Sequence, residues 1–217
     1  MLTAVSTPVA TRLLTAAARL LSEEGPAALT TRRLAREVGT STMAVYTHFG
    51  SLPDLVRAVI HEGFQRVAER LRALPATDDP VADLFEECRV TVEYARAEPH
   101  HFAVMFSGSP LAGLQMSEDD LRIGSYALRI ARDTVERCIA AGRFRPAEPW
   151  LVTRHLWCQT HGLIQLERAG YFGPTLVPPG TPYLETYLRD FAVGAGDTLE
   201  AATASMARPH PRRATPE

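Results

Sequence analysis

The stretch LTTRRLAREVGTSTMAVYTHFGSLPDLVRAV, residues 29–59, decides the fold of this chain. Its apolar residues recur at helical spacing in two short runs on either side of Gly39, and glycine tolerates the left-handed conformation of a tight turn. Thr30 is placed to cap the first run, and Ser51 with Asp54 predicts a capping box that begins a third helix. The segment therefore predicts a helix-turn-helix, the smallest unit that can place a helix in the major groove of DNA.

The residues of this segment divide into two sets. Apolar residues share one face of each short helix and are predicted to form the local core: Leu34, Ala35, Val38, Val45 and Phe49. The remaining residues are predicted to face outward: Thr31, Arg32, Arg33, Thr42, Met43, Tyr46, Thr47 and His48. Guanidinium, hydroxyl and imidazole groups suit phosphate oxygens and base edges, so the outward set favours contact with DNA.

The segment closely resembles the DNA-binding segment of TetR-type transcriptional regulators. The residues that carry the resemblance are Thr30, Leu34, Ala35, Gly39, Tyr46, His48, Phe49, Ser51 and Leu55. The resemblance implies that the second short helix is the recognition helix. It implies base contacts by Thr42, Met43, Ala44 and Thr47, phosphate contacts by Thr31, Tyr46 and His48, and a base-edge contact by Arg32. The family usually has a lysine directly after the serine that begins the next helix, and this chain has Leu52 there.

The charge distribution supports one DNA-facing end. The 217-residue chain has no lysine, and its 23 arginines and 25 acidic residues give a net charge of −2. Residues 1–72 nevertheless carry nine arginines against six acidic residues, so the N-terminal third is mildly basic and the remainder is acidic. Such an asymmetry is typical of a protein that places one end on DNA.

Other features exclude several classes of protein. No apolar run is long enough to span a bilayer and no signal-peptide pattern begins the chain, so we expect a cytoplasmic protein. The cysteines at 88, 138 and 158 lack CxxC spacing, and their apolar helix faces predict buried free thiols. The pairs His100–His101 and His155–His161 lack the four-residue spacing that places two imidazoles on one helix face. We therefore expect no metal site and no cofactor.

The whole chain predicts an all-α fold, with a three-helix head followed by a larger helical body. Helical periodicity and capping residues beyond the helix-turn-helix predict helices over about 8–24 (capped by Thr7), 52–74, 80–97, 117–141, 149–169 and 181–204. Residues 99–106 form a further short segment, and residues 107–116 and 170–182 are predicted loops. We expect a DNA-binding domain over 1–52, with the start of the connecting helix 52–74, a regulatory and dimerisation domain over 53–205, and a disordered tail over 206–217.

The body also resembles the TetR family, in particular a subgroup with a Trp–His–Gly signature. The matching residues are Trp157, His161 and Gly162, together with the segment 94–106. A ligand site needs an apolar wall with a few polar groups. The residues that meet this description are Tyr94, His101, Phe102, Met105, Phe106, Trp157 and His161. Aromatic residues at helical spacing are equally typical of a packed core, so both interpretations stay open.

A two-fold DNA site requires two heads about 34–36 Å apart, which implies a homodimer. The last two long helices are the predicted interface, and the resemblance implies the same. The candidate contacts are Leu156, Leu163, Ile164, Leu184, Leu188, Phe191 and Ala195. The small residues at 192–196 suggest close helix approach, since mid-helix glycines cost about 1 kcal/mol each; a kinked or frayed helix end is the alternative, as is intrachain core for the apolar contacts.

These observations predict a homodimeric, ligand-responsive transcriptional repressor that binds a near-palindromic operator and is not an enzyme. Its partners would be double-stranded DNA, a second copy and an unidentified small-molecule effector. One alternative is a helical enzyme that uses His101 or His161, although no catalytic arrangement supports it. Another is a DNA-binding activator or architectural protein whose body binds no ligand.

Overall fold

The computed structural model describes residues 8–106, 117–173 and 180–211, and all regular structure within them is helical. The predicted all-α fold is therefore confirmed. The α-helices are α1 (Val9–Glu24), α2 (Thr31–Val38), α3 (Thr42–Phe49), α4 (Leu52–Arg72), α5 (Pro80–Ala97), α6 (Pro99–Met105), α7 (Glu118–Gly124), α8 (Tyr126–Ala140), α9 (Pro149–Arg168), α10 (Tyr183–Ala195) and α11 (Leu199–Ala207). A single 3₁₀ turn, Pro26–Ala28, joins α1 to α2.

The chain divides into two compact units, each described here by itself. The first unit is Met1–Arg66 with Tyr94–Gly124, and the second is Val67–Glu93 with Ser125–Glu217. Helices α4 and α5 contribute residues to both. The domain limits predicted above, 1–52 and 53–205, follow function and stay a prediction.

The predicted caps of the helix-turn-helix are present. The Thr30 hydroxyl oxygen accepts a hydrogen bond from the Arg33 amide at 3.1 Å, and the Ser51 hydroxyl accepts one from the Asp54 amide at 3.2 Å. Gly39 ends α2 with φ 69° and ψ 44°, the left-handed conformation that glycine adopts without Cβ strain. A further cap was not predicted: the Ser41 hydroxyl accepts from the Ala44 amide at 3.2 Å and fixes the start of α3.

A buried aspartate holds α7 in the first unit. Asp120 is 2% exposed and accepts hydrogen bonds from the Ser117 amide and hydroxyl, both at 2.8 Å. His61 Nε2 lies 2.7 Å from the same carboxylate and Arg57 Nε donates to it at 3.3 Å. Burial alone would raise the pKa of Asp120, but the hydrogen bonds from Ser117, His61 and Arg57 lower it to about 2. The Asp120 amide also donates to the Ser117 hydroxyl at 3.1 Å, so Ser117 caps the start of α7.

The second unit is built on paired helices, with α8 against α9 and α10 against both α9 and α11. The predicted apolar stripe of α5 is buried, comprising Val81, Leu84, Phe85, Cys88, Val92 and Ala95. The helix is also buried outside that stripe, because Asp83, Glu86 and Glu87 are at most 8% exposed. Residues 80–88 of α5 are thus buried on all sides, and such a segment carries its carboxylates into the interior, where each needs a partner or a proton.

Two predicted long helices are each broken in two. The helix expected over 117–141 breaks at Ser125, after Gly124 allows the Phe64 ring to approach within 3.2 Å of where a Cβ would stand. The helix expected over 181–204 breaks at Gly196, whose φ is 125°. A Cβ on Gly196 would lie 2.6 Å from the Arg145 amide nitrogen, which donates to Ala195 at 2.9 Å. At Gly196 the close approach is therefore to this chain's own backbone, and the helix end is kinked there; a contact of residues 192–196 with a second copy stays a prediction.

Two further predictions are corrected. Cys88 and Cys138 are buried, but Cys158 is exposed on α9. Residues 206–211 are not a disordered tail: Arg208 forms an ion pair with Asp78, and the buried His210 side chain lies 3.2 Å from Asp83. The carboxylates of Asp78 and, on α5, of Asp83 hold this segment against the rest of the second unit. The predicted cap Thr7, the loop 107–116 and residues 212–217 lie outside the described residues.

Candidate nucleic-acid interface and cavity

Helix α3 presents most of its predicted DNA-contacting side chains to solvent. Met43 is 68% exposed and Tyr46 is 49% exposed, and Thr42, Thr47 and His48 are exposed as well. Ala44 is half-buried. The Thr47 hydroxyl donates to the Met43 carbonyl at 2.9 Å, so its methyl group and an oxygen lone pair are what it can offer to DNA.

Two neighbouring arginines of α2 differ in their ion pairs. Arg33 forms ion pairs with Glu24 at 3.0 Å and Glu37 at 3.3 Å, which fix its guanidinium within the head. Arg32 is exposed and has no ion pair among the described residues. Thr31 is half-buried at the first position of the helix. The structure thus leaves Arg32 as the available cation of the pair.

A small apolar core supports this surface. Leu34 and Val45 are fully buried and Ala35 is 4% exposed, whereas Val38 and Phe49 are half-buried. Helix α2 contacts both α1 and α3. Leu52, which stands where the family usually has a lysine, is half-buried at the start of α4. The arrangement gives α3 a rigid support and an outward face of hydroxyl, thioether, phenol and imidazole groups.

Five predicted ligand-binding residues gather in the first unit as a tightly packed cluster. The Phe102 and Phe106 ring centroids are 4.9 Å apart, and Phe106 meets Phe64 edge-on at 5.5 Å. The Tyr94 hydroxyl donates to the Met105 sulfur at 3.9 Å. The fifth, His101, is buried, with Nε2 3.4 Å from Glu62 and Nδ1 3.4 Å from Glu98.

Glu62 responds to this environment. Burial alone would raise the pKa of its carboxyl group, but the neighbouring His101 and Arg66 lower it below its ordinary value. The His101 side chain is only 3% exposed. A substrate would therefore have to displace the surrounding packing to reach His101.

Trp157 and His161, the other predicted ligand residues, lie on α9 in the second unit. Their ring centroids are 5.8 Å apart, and the Trp157 side chain is partly exposed. His161 is half-buried, with Nε2 3.1 Å from the Gln165 amide, and burial lowers its pKa.

The predicted dimer contacts differ in their accessibility. Leu156, Ile164, Leu184 and Leu188 are buried within the chain itself, so they expose almost no area to a partner. Leu163 is half-buried, and the half-buried pair Phe191 and Ala195 line an open groove of about 390 Å³. Sequence periodicity identified the helices but could not separate the face turned inward from the face turned outward.

Sequence reasoning missed a cavity of about 260 Å³ in the second unit. Its apolar wall includes Leu71, Leu74 and Ile130, and its polar groups include Asp83, Glu87, Asp133, Thr134, Arg137 and His210. Burial is the largest influence on Glu87 and raises the pKa of its carboxyl group to about 7, although Thr134 opposes the shift. An acidic residue beside the apolar stripe of α5 was the available signal, but it looks like a solvent-facing residue when the helix is assumed to have an exposed side.

The described residues contain neither a metal-binding cluster nor a membrane-spanning helix. No group of three or more His, Cys, Asp or Glu side chains there is arranged to hold a metal ion. Within residues 8–106, 117–173 and 180–211, no helix has both the length and the apolar character needed to cross a membrane.

Comparison with known proteins gives matches at both ends of the chain. Residues 13–59 match the family model of bacterial regulatory proteins of the tetR family, and residues 84–191 match the tetracyclin repressor-like C-terminal domain. The HTH-type transcriptional regulator Rv1816 of Mycobacterium tuberculosis is 26% identical, over 76% of this chain and 83% of its own length. The Trp–His–Gly subgroup stays a prediction.

Solved structures share the fold. A tetR-family regulatory protein from Rhodococcus RHA1 aligns with a TM-score of 0.71 and 21% identity, over 89% of this chain and 100% of its own. RolR in complex with resorcinol aligns with a TM-score of 0.62 and 18% identity, over 94% of this chain and 95% of its own. With the two family models and the helix-turn-helix geometry, these findings establish that the chain belongs to the TetR family and is a DNA-binding transcriptional regulator.

Proposed function

We propose that this regulator is a homodimeric repressor that binds a near-palindromic operator and leaves it when a small molecule binds the helical body. The observation that carries the DNA part is the outward face of α3, where Thr42, Met43, Tyr46, Thr47 and His48 are exposed above a buried core. Because DNA is its target, we place its action in the cytoplasm.

Each contact follows from side-chain chemistry. Thr42, Met43, Ala44 and Thr47 meet base edges, with methyl and thioether groups against thymine methyls and hydroxyl oxygens against amino groups. Thr31, Tyr46 and His48 hold phosphates, which sets the register of α3 without reading sequence. Arg32 reaches a base edge because no acidic residue restrains its guanidinium within the described chain.

We propose the exposed face of α9 as the centre of the dimer interface. Leu151, His155, Cys158, Gly162 and Leu166 recur every three to four residues and so share one helix face. Leu151 and Leu166 are 52% and 46% exposed, and a Cβ added to Gly162 would meet nothing within 4 Å. Exposed leucines at the ends, with the small Cys158 and Gly162 between them, favour close approach of a second α9. This proposal replaces the buried Leu156, Ile164, Leu184 and Leu188 as contacts while keeping the same helices.

Effector release requires a ligand with different affinities for two arrangements of the paired heads. Helix α4 begins directly after the helix-turn-helix, and its last turn contributes Leu71 and Arg72 to the cavity of the second unit. A ligand held there would bias the position of α4. RolR, whose fold is similar, has been solved with resorcinol bound.

The test begins with selection of bound duplexes from a random DNA library, followed by fluorescence anisotropy on the selected site and on scrambled DNA. Tyr46→Phe should weaken binding to all sequences alike, by roughly tenfold, if its hydroxyl holds a phosphate. Tyr171→Phe, which alters another exposed tyrosine (59%), is the matched control and should change nothing. No enriched sequence, even at low salt, would reject operator recognition.

A second pair of variants tests the base contact. Arg32→Ala should relax preference at one base position in each half-site, a discrimination of about 1–3 kcal/mol. Arg36→Ala removes the same charge one turn further along α2 and should lower affinity uniformly. If the two variants lose affinity in the same uniform way, Arg32 does not contact a base.

A further inference from the structure

We propose that the cavity of the second unit binds a compact organic amine, whose ammonium group pairs with Glu87 while its apolar body lies against Leu71, Leu74 and Ile130. The inference rests on the proposed effector release and adds the chemical class of the ligand. It also stands as a statement about binding alone, which is measured without DNA.

Only one of the two carboxylate oxygens of Glu87 has a hydrogen-bond donor within the described chain. Its Oε1 accepts a hydrogen bond from the Thr134 hydroxyl at 2.6 Å. Its Oε2 is buried and has no hydrogen-bond donor within the described part of the chain. Leaving a buried carboxylate oxygen unpaired costs free energy, which a donor on a ligand would recover.

The nearest cations of the cavity are held by other groups. Arg137 donates to Asp83 at 2.8 Å and to the Thr77 carbonyl at 2.6 Å. Arg72 stands over the Tyr126 ring at 4.3 Å. Within the described chain neither guanidinium forms a hydrogen bond or ion pair with Glu87. The charge of Arg137 opposes the effect of burial on the Glu87 pKa only in part, so the cavity offers a carboxylate without a directly paired counter-ion.

A second unsatisfied group lies in the same cavity wall. The His210 side chain is 3% exposed, and its Nε2 lies 3.2 Å from Asp83. Its Nδ1 is buried without a hydrogen-bond partner among the described residues. Two buried polar atoms without partners in one cavity are typical of a site that a ligand completes.

Size and charge define the class of ligand. The volume of about 260 Å³ exceeds the roughly 150 Å³ of an apolar cavity that accepts benzene, so a single ring with a short side chain fits. Three carboxylates (Asp83, Glu87 and Asp133) and two guanidiniums line the space. An anionic ligand would face Glu87 without compensation, whereas an ammonium group would donate to it with charge assistance.

The test uses 2-phenylethylamine and its neutral analogue 2-phenylethanol, with isothermal titration calorimetry and thermal unfolding of the full chain at pH 7.5. The amine should bind at least about tenfold tighter than the alcohol and raise Tm. Glu87→Gln should abolish the difference between the two probes. Glu136→Gln, on the same helix as Thr134 but 56% exposed at its side chain, is the matched control and should preserve it.

A second measurement uses the unaltered protein. Because burial holds part of the Glu87 population protonated near neutral pH, ammonium binding should release protons, which calorimetry in buffers of different ionisation enthalpy detects. Amine affinity should rise with pH between about 6 and 8. The other charged groups around the cavity are Arg72 on α4, Asp83 on α5, Asp133 and Arg137 on α8, and His210, so the same titration on Glu87→Gln isolates the part due to Glu87.

The outcomes separate this inference from the proposed function. Equal binding of both probes, or tight amine binding retained in Glu87→Gln, would overturn the amine site. Absence of amine binding in a protein that still selects a specific operator would reject the inference and leave the DNA-binding proposal intact. Amine binding that leaves operator affinity unchanged would support the site and reject its role in release.

Discussion

The outward face of α3 and the cavity around Glu87 are opposite kinds of candidate site. On α3 the chemistry is exposed, and the buried residues serve only as support: Met43 is 68% exposed above a fully buried Val45. In the cavity the polar groups are themselves buried: Glu87 Oε2 and His210 Nδ1 lie inside the second unit without hydrogen-bond partners among the described residues. A contact residue on α3 can be substituted without unfolding the protein. In the cavity, any substitution of a buried polar residue also changes the free energy of unfolding.

The difference teaches where each function is encoded. Caps at Thr30, Ser41 and Ser51 and the turn at Gly39 join residues within five positions of one another, so the α3 surface follows from local sequence. The Glu87 environment joins α5 to α8, 47 residues away through Thr134. Four predictions test this contrast, in decreasing order of expected effect.

The largest effect is expected from the support of α3. Leu34 is fully buried, so Leu34→Ala should lower the free energy of unfolding by about 2–5 kcal/mol through lost transfer energy and a cavity. Met43→Ala should leave stability within about 0.5 kcal/mol and weaken operator binding instead. Urea unfolding and anisotropy on both variants check this; a large stability loss in Met43→Ala would contradict the division between surface and support.

Glu87 should make stability depend on pH. Its carboxyl group has an ordinary pKa of 4.5 that burial raises to about 7, so the stabilisation is fully present below pH 4.5 and is lost as the pH rises through 7. The free energy of unfolding should fall by up to about 3 kcal/mol between pH 5 and 8 from this group. Urea titrations of the wild type, Glu87→Gln and Glu136→Gln at several pH values measure it, and the dependence should shrink only in Glu87→Gln.

Gly39 stands in a local turn, whereas Gly196 is constrained by contact with a distant segment. Gly39→Ala should cost about 1 kcal/mol, since φ is 69° but nothing lies within 4 Å of the added Cβ. Gly196→Ala should cost about 2–3 kcal/mol, because the Cβ also meets the Arg145 amide at 2.6 Å. Thermal unfolding compares them, with Asn variants as a control: asparagine should recover stability at position 39 and not at 196.

The smallest effect is expected at Leu52, where the family usually has a lysine. Leu52→Lys should add one phosphate contact, strengthen binding to all sequences a few-fold and steepen the slope of log affinity against log salt by about 0.9. Leu52→Gln is the uncharged control. An unchanged salt slope in the lysine variant would show that position 52 does not approach DNA.

The agreement between sequence and structure was uneven for physical reasons. The limits of α5 and the starts of α2 and α4 were predictable because proline, capping hydroxyls and helical periodicity act within one turn. The break at Ser125 was not predicted and the kink at Gly196 was only one of two alternatives, because each glycine there meets a side chain or backbone from a distant segment, Phe64 or Arg145. Burial of Leu156 and exposure of Cys158 on one helix likewise depend on which face meets a neighbour.

The sequence by itself determined the helical class, the helix-turn-helix and which side chains of α3 are exposed, since local caps and a glycine turn leave those residues only one side of a short helix. Only the tertiary structure decided that residues 80–88 of α5 are buried on all sides. It therefore decided that Glu87 is an interior carboxylate with an unpaired oxygen beside a cavity. Burial of a charge is a property of all the segments that surround it, and no local pattern carries that information.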